Sequence, residues 1–240
     1  MSAENFKRRT EERKTREKKL IEERQTKWLI VCEGEKTEPN YFKGLESFLK
    51  EKSGKIDIVA RGKGRNTEDL VKNIEEYFDF IDKELGKSRI PFEKIILVYD
   101  KDDFGDGQFN NSIKMAEARI EKPIVAWSNE SFELWLCLHF DICDAPLNRN
   151  QYNDKLTEIF RKKGIYTKKQ KYENHGKNDS DIFNTIIKAG GSLTQAINNS
   201  KKLLEDKALN SPAKANPATL VGLATQALIN DSGLDLKEIK

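Results

Sequence analysis

Apolar positions along this chain follow two patterns, short continuous runs and residues at helical spacing. The runs predict strands over residues 28–32, 56–60, 95–99 and 124–128. Runs of this length suit strands that are buried on both faces of a parallel sheet. Between them, apolar residues recur every three or four positions, which predicts helices over residues 37–50, 67–85, 109–121 and 132–140. Alternating strands and helices predict an α/β fold, a Rossmann-like, mostly parallel sheet flanked by helices.

The pattern changes at both ends of this α/β core, and we therefore divide the chain into three parts. Residues 1–26 are dominated by charge, with Glu12 and Arg16 at helical spacing, and predict a charged helical extension. Residues 27–145 hold the predicted core. From residue 146 to 240 no further strand is predicted. Helices are expected over residues 152–163, 181–188, 194–209 and 218–229, with a polar loop over 168–181.

Composition limits the kinds of protein that this chain can be, because it bears on the core, on nucleic-acid binding and on membrane insertion. Charged residues make up 35% of the 240 positions and apolar residues 37%, so a core can form beneath a highly charged surface. The net charge of +3 is modest, so any nucleic-acid binding must come from local patches. No apolar run is long enough for a membrane helix, and no signal segment opens the chain. Cys32, Cys137 and Cys143 lack zinc spacing, which predicts buried free thiols and a cytoplasmic protein.

Acidic residues follow two of the predicted strands directly. In open α/β sheets, ligands bind beyond the carboxyl ends of the strands. Carboxylates gathered there repel one another unless a cation lies between them, and Mg²⁺ or Mn²⁺ prefers such oxygen ligands. Asp100 and Asp102 flank Lys101 and would point to one side in extended backbone. A metal site is therefore expected, with a solvated acidic rim as the alternative, among Glu33, Glu35, Glu38, Asp100, Asp102 and Asp103.

A third strand end carries the segment SNESFELW, residues 128–135. Ser128 or Asn129 could cap the following helix, with Glu133 completing a capping box. The same three side chains could instead line the rim of the acidic cleft, because a helix N-terminus at a sheet edge can serve both roles. The residues themselves favour neither interpretation.

Two basic segments are candidates for phosphate binding. Arg61, Lys63 and Arg65 lie on a glycine-containing loop after the second strand, which lacks the residue order of a nucleotide P-loop. Cations on such a loop suit nucleic-acid phosphate, although a surface turn explains them nearly as well. The second segment interleaves tyrosines with lysines, and a solvated loop is its simpler explanation. It contains Tyr166, Lys168, Lys169, Lys171, Tyr172 and Lys177. His139, within an apolar helix, is expected to be a core histidine.

Five ordered segments together resemble the RloB-like family, which includes the second component of AbiL-type abortive-infection systems. They read LIVCEGEKTEPNYF at residues 29–42, RGKG at 61–64, VYDKDDF at 98–104, SNESFELWL at 128–136 and NPAT at 216–219. The resemblance spans roughly residues 27–230, and the first segment is the most specific. That family is similar to Toprim domains, the metal-binding fold of topoisomerases, primases and some nucleases.

The resemblance implies a Toprim-like core, Mg²⁺ dependence and nuclease chemistry in antiphage defence. It also implies an AAA or ABC-type ATPase encoded alongside. It maps the Toprim glutamate onto Glu33, the Asp-x-Asp onto Asp100 and Asp102, and the variable third acid onto Glu133. Glu33, Asp100 and Asp102 would be catalytic, and all four would bind metal. Phosphates would contact Arg61, Lys63, Arg65 and Lys177. Supporting positions would be Glu35, Lys36, Glu38, Asp103, Ser128 and Asn129.

Cleavage of RNA, such as tRNA, is favoured over DNA, and two other functions remain as alternatives. One is a Toprim-like adaptor that binds nucleic acid and its ATPase without cutting. The other is a haloacid-dehalogenase-like phosphatase, which also uses Asp-x-Asp. That chemistry places the pair after the first core strand, whereas here it follows a later one. The sequence leaves the oligomeric state open, a homo-oligomer included.

Overall fold

A computed structural model describes residues 26–62, 67–74, 76, 92–205, 207 and 211–239. The predicted extension over residues 1–26 therefore lies outside the described residues, apart from its last position. The predicted α/β fold is confirmed. Within the described residues the sheet has the strand order β2-β1-β3-β4-β5.

The four predicted strands form the parallel part of this sheet. They are β1 (Thr26–Cys32), β2 (Ile56–Gly62), β3 (Lys94–Asp100) and β4 (Ile124–Asn129). A fifth strand, β5 (Ala218–Thr219), pairs antiparallel with β4. The prediction of helix from residue 218 is wrong at this point. The Thr219 hydroxyl hydrogen-bonds the Ser128 hydroxyl at 3.0 Å and donates to the Trp127 carbonyl at 3.1 Å, which fixes the segment to the sheet edge.

Helices cross between the parallel strands much as predicted. They are α1 (Thr37–Ser53), α2 (Thr67–Lys72), α3 (Asp106–Glu117) and α4 (Glu133–Leu138). Most of the predicted continuation of α2 to residue 85 lies outside the described residues. Helix α3 begins and ends earlier than the predicted range of 109–121. Its buried side chains end at Ala116, and Lys122 adopts a left-handed backbone with φ of 45°.

The chain after residue 146 is helical, with one correction to the predicted loop. The helices are α5 (Arg149–Lys162), α6 (Tyr172–His175), α7 (Ile182–Lys188), α8 (Leu193–Glu205) and α9 (Val221–Asp231). Helix α6 and the 3-10 turn Gly176–Asn178 lie in the segment predicted as loop. Tyr172 is fully buried there, and its backbone N–H donates to the Thr157 hydroxyl at 2.9 Å. The segment is also held by Arg161, whose Nη2 donates to the carbonyls of Lys168 and Gln170 at 2.7 and 2.9 Å.

Strand β1 divides the core between the two faces of the sheet. Trp28 and Ile30 belong to a large cluster that also contains residues from α1, α5 and α8, whereas Leu29 and Val31 face α2 and α3. The C-terminal helices thus pack on the same core as the sheet. Cys32, Cys137 and Cys143 are buried and free, as predicted.

His139 and the apolar character of the helices were both considered from the sequence. His139 is buried, and its ring hydrogen-bonds the Tyr41 hydroxyl and the Trp135 carbonyl, both at 3.0 Å. The prediction of a core histidine is confirmed. Among the helices of the described residues, none has both the length and the apolar character needed to cross a membrane.

A candidate acidic site at the carboxyl ends of the strands

A cleft of about 380 Å³ opens at the carboxyl ends of β1 and β3. Its walls come from the turn after β1, the start of α1, the end of β3, the start of α4, the start of α5 and the turn after α6. Acidic side chains dominate this lining, and three basic side chains join them. The lining residues are Glu33, Gly34, Glu35, Lys36, Thr37, Glu38, Asp100, Asp102, Glu133, Arg149, Lys177 and Asn178.

Glu33 joins the ends of β1 and β3. Its backbone N–H donates to the Val98 carbonyl at 2.9 Å, which extends the pairing of the two strands by one residue. Its carboxylate accepts a hydrogen bond of 3.1 Å from the backbone N–H of Asp100. The two acids that the sequence placed on separate strands are therefore in direct contact.

The turn that follows Glu33 is closely packed against the end of β2. A Cβ atom placed on Gly62 would lie 1.8 Å from the Gly34 carbonyl oxygen, so only glycine fits there. This contact positions the start of α1, where Glu38 is buried and faces the cleft. Glu35 lines the cleft but is exposed to solvent.

Asp100 ends β3 and is buried, whereas Asp102 lies in a loop with a left-handed backbone, φ 37°. The extended backbone assumed for this pair is therefore wrong at Asp102. The backbone N–H groups of Lys101 and Asp102 donate to the carbonyls of Ser128 at 2.8 Å and Glu130 at 3.1 Å. These bonds hold the loop against the end of β4, and both carboxylates still face the same partner.

That partner is Arg149, which the sequence did not indicate. Its Nη2 atom lies 2.8 Å from Asp100 Oδ2 and 2.6 Å from Asp102 Oδ2, and its Nε lies 3.8 Å from Glu133 Oε2. Arg149 is the first residue of α5, where Asn148 and Gln151 form a capping box. That box signals a helix start in the sequence, but nothing in the sequence connects this helix to the cleft.

Burial and crowding shift the protonation of the acids. Burial, with help from Glu38, Glu133 and Asp102, raises the pKa of the Asp100 carboxyl well above its usual range, against the opposing effect of Arg149. Burial raises the pKa of Glu38 to about 7. Although burial acts to lower it, attraction by the carboxylates raises the pKa of the Arg149 guanidinium. Burial is the largest cause of the raised pKa at both Asp100 and Glu38, neighbouring carboxylates add to it, and Arg149 opposes it.

The turn after α6 forms another wall of the cleft. Lys177 Nζ lies 3.7 Å from Glu133 Oε1, and Lys36 Nζ donates to Asn178 Oδ1 at 2.8 Å. Thr37 Oγ1 donates to the Lys177 carbonyl at 3.4 Å. Residues from both halves of the chain therefore build one site, and Lys177, which the sequence suggested as a phosphate-binding residue, is among them.

Several expected site residues lie elsewhere. The Ser128 hydroxyl bonds to Thr219, and Asn129 Nδ2 donates to the carbonyls of Pro212 and Ala213 at 3.1 and 2.8 Å. Both side chains hold the C-terminal segment and are not part of the cleft lining. Of the two explanations left open for this segment, the capping box is wrong, because Phe132 precedes α4 and no side chain caps the helix. Glu133 alone of this segment's expected trio reaches the cleft.

Among the described residues of the two basic segments, only Lys177 lines the cleft. Arg61 lies in β2, outside the cleft lining, and its guanidinium donates to the Ala60 carbonyl at 3.0 Å. Lys63 and Arg65 lie outside the described residues. Asp103 is exposed and does not line the cleft. Tyr172 is fully buried, so its ring is not available to stack on a nucleic-acid base, which was the less favoured of the two explanations for its segment.

The chemistry of the donor set suits Mg²⁺ or Mn²⁺. Asp100 Oδ1 is buried without a hydrogen-bond partner, and every acidic ligand candidate offers oxygen. Among the described residues, however, no three His, Cys, Asp or Glu side chains are grouped so that they could hold a metal ion together. Arg149 occupies the space between Asp100 and Asp102. The residues fit the cation in donor type and charge, and their side chains would have to turn to surround it.

Comparison with models of known protein families gives a match over most of the chain. A family model described as RloB-like protein matches residues 28–228, which is most of the chain and includes every described residue of the cleft. No significant match was found among the curated proteins or among the solved structures.

Proposed function

This chain belongs to the RloB-like family, and we propose that it hydrolyses phosphodiester bonds of nucleic acid with the help of Mg²⁺ or Mn²⁺. One observation carries the proposal. Acids from the ends of β1 and β3 and from the start of α4 meet in a single cleft, although Glu33 and Glu133 are one hundred positions apart in the sequence. Carboxylates that repel one another are kept together at the place where open α/β sheets bind ligands.

Each acid has a role that follows from its position. Asp100 and Asp102 would hold the metal, with Glu33 and Glu133 beside them. When bound, Mg²⁺ polarises a phosphoryl oxygen and lowers the pKa of water. Glu33 is oriented by the Asp100 N–H, so it can bind metal or accept a proton in a fixed direction. Glu38, with a pKa of about 7, can give or take a proton near neutral pH.

The substrate and the partner are further parts of the proposal. Lys36 and Lys177 supply positive charge at the cleft, which suits the phosphates of a nucleic-acid strand. We favour RNA, such as tRNA, over DNA because of the family resemblance. The same resemblance supports a role in antiphage defence with an AAA or ABC-type ATPase, and the buried free cysteines support a cytoplasmic location.

A second function is supported by a specific observation. Arg149 pairs with both Asp100 and Asp102, and no three acids of the described residues form a ready metal site. A protein that binds nucleic acid and its ATPase without cutting would not need a ready metal site, so acids paired with Arg149 would suffice. Metal binding without turnover, in the presence of the ATPase, would favour that adaptor.

Cleavage assays test the proposal directly. Labelled total RNA, tRNA and plasmid DNA are incubated with Mn²⁺ or Mg²⁺ and the wild-type chain, Glu33→Gln or Asp100→Asn. Asp144→Asn is the matched control, because Asp144 is an exposed acid outside the cleft. We expect metal-dependent cuts by the wild type and the control alone. Cleavage that persists in Asp100→Asn would overturn the assignment of the site.

A further inference from the structure

We infer that Arg149 neutralises Asp100 and Asp102 when no metal is bound, and that its side chain turns to a substrate phosphate when the metal binds. This inference rests on the proposed function. It assigns to Arg149 a role in binding that neither the sequence nor the family match indicates. Its basis is the geometry of one guanidinium among three carboxylates.

The guanidinium already neutralises the two acids that would hold the metal. A single atom, Nη2, contacts Asp100 Oδ2 at 2.8 Å and Asp102 Oδ2 at 2.6 Å. Asp100 and Asp102 would also hold the divalent ion, and its charge would repel the guanidinium. Binding of one cation therefore weakens binding of the other, because both neutralise the same pair of carboxylates.

Only the side chain needs to move. The backbone of Arg149 is fixed by the capping box at the start of α5 and by its N–H, which donates to Glu130 Oε1 at 3.3 Å. Its side chain is 37% exposed and lines the cleft, so it can turn without displacing the helix. The Nε atom is buried and makes no hydrogen bond, which leaves a donor for another ligand.

A phosphate is the ligand that suits the released guanidinium. Arginine presents a planar set of N–H donors that matches two oxygens of a phosphate, and it keeps its charge at every relevant pH. Lys177 also lines the cleft, and its Nζ lies 3.7 Å from Glu133, the same carboxylate that Arg149 approaches at 3.8 Å. A phosphate in the cleft would therefore meet two positive groups.

Three variants of the full chain test the inference. Arg149→Gln removes the charge, and Arg149→Lys keeps the charge but loses the planar donors. Lys162→Gln is the matched control, because this exposed residue ends the same helix about 20 Å away. Mn²⁺ affinity is measured by calorimetry without nucleic acid. Affinity for a labelled single-stranded RNA is measured by fluorescence anisotropy in Ca²⁺, which takes the place of the active metal.

We expect Arg149→Gln to bind Mn²⁺ about tenfold more tightly than the wild type, while Arg149→Lys and the control stay within twofold of it. Both Arg149 variants should bind RNA at least tenfold more weakly in Ca²⁺. Unchanged Mn²⁺ affinity in Arg149→Gln, or unchanged RNA affinity in both variants, overturns the inference. If the wild type itself binds no Mn²⁺, the proposed function fails first. Wild-type Mn²⁺ binding with unaltered variants leaves the proposed function standing and rejects only the role of Arg149.

Discussion

The carboxylate of Glu33 accepts a hydrogen bond of 3.1 Å from the backbone N–H of Asp100. Glu33 lies just beyond β1, and Asp100 is the last residue of the neighbouring strand β3. The bond therefore ties two strands together at the edge that carries the cleft. Glu33 has both a structural and a proposed chemical role, and the two can be separated by choosing the replacement side chain.

Glu33→Gln and Glu33→Ala should differ in stability but not in activity. Both remove the negative charge, so both should abolish metal-dependent cleavage. Only glutamine keeps an acceptor for the Asp100 N–H. We expect Glu33→Ala to be less stable than Glu33→Gln by about 1 kcal/mol, the typical net value of a hydrogen bond. Urea unfolding measures the difference, and equal stability of the two variants would contradict the structural role.

The sequence was sufficient for the parallel strands because continuous apolar runs directly reflect burial on both faces of a sheet. The acids at the ends of β1 and β3 could be predicted for the same reason, since parallel strands end at one edge. Arg149 could not be predicted, because it reaches the cleft only through the packing of α5 on the core. Strand β5 has two residues, too few for a pattern, and depends on a bond between Ser128 and Thr219.

Glu38→Gln should stabilise the metal-free protein above neutral pH. Burial raises the pKa of Glu38 from 4.5 to about 7, so between these values the folded chain holds a proton that the unfolded chain has released. The contribution of Glu38 to stability therefore falls as pH rises from 4.5 to 7. By linkage, the variant should exceed the wild type by up to about 3 kcal/mol at pH 8 and by little at pH 4.5. Unfolding in EDTA checks this, with the exposed Glu51→Gln on the same helix as control.

His139 should produce the opposite dependence on pH. Burial lowers the pKa of His139 from 6.5 to about 4. Between these values the unfolded chain binds a proton that the folded chain excludes, so stability falls as pH decreases. The wild type should lose about 3 kcal/mol from this residue between pH 6.5 and 4. His139→Gln should lack that loss, although it is less stable at pH 7, and the exposed His175→Gln should retain it. Parallel slopes in all three proteins would contradict the prediction.

Gly62→Ala should disturb the turn that carries Glu33. The added Cβ would lie 1.8 Å from the Gly34 carbonyl oxygen, so β2 or the turn must shift. We expect a loss of about 1–3 kcal/mol, as for other overpacked sites, together with weaker Mn²⁺ binding. Gly107→Ala is the contrasting control, because its Cβ meets nothing within 4 Å and it lies in α3. That control should gain roughly 0.5–1 kcal/mol from reduced backbone freedom in the unfolded chain. Equal effects of the two substitutions would show that the contact is unimportant.

Lys177→Ala should weaken nucleic-acid binding in a way that depends on salt. Lys177 lines the cleft and contacts Glu133 at 3.7 Å, so its charge is available to a phosphate beside the acids. Each phosphate contact to a single strand adds about 0.7 to the slope of log affinity against log salt. The variant should therefore show a slope smaller by about that amount, measured by anisotropy with a labelled RNA in Ca²⁺. Lys188→Ala, an exposed lysine on α7 outside the cleft lining, should leave the slope unchanged. A slope that is the same in Lys177→Ala and the wild type would place the path of the strand on another face of the molecule.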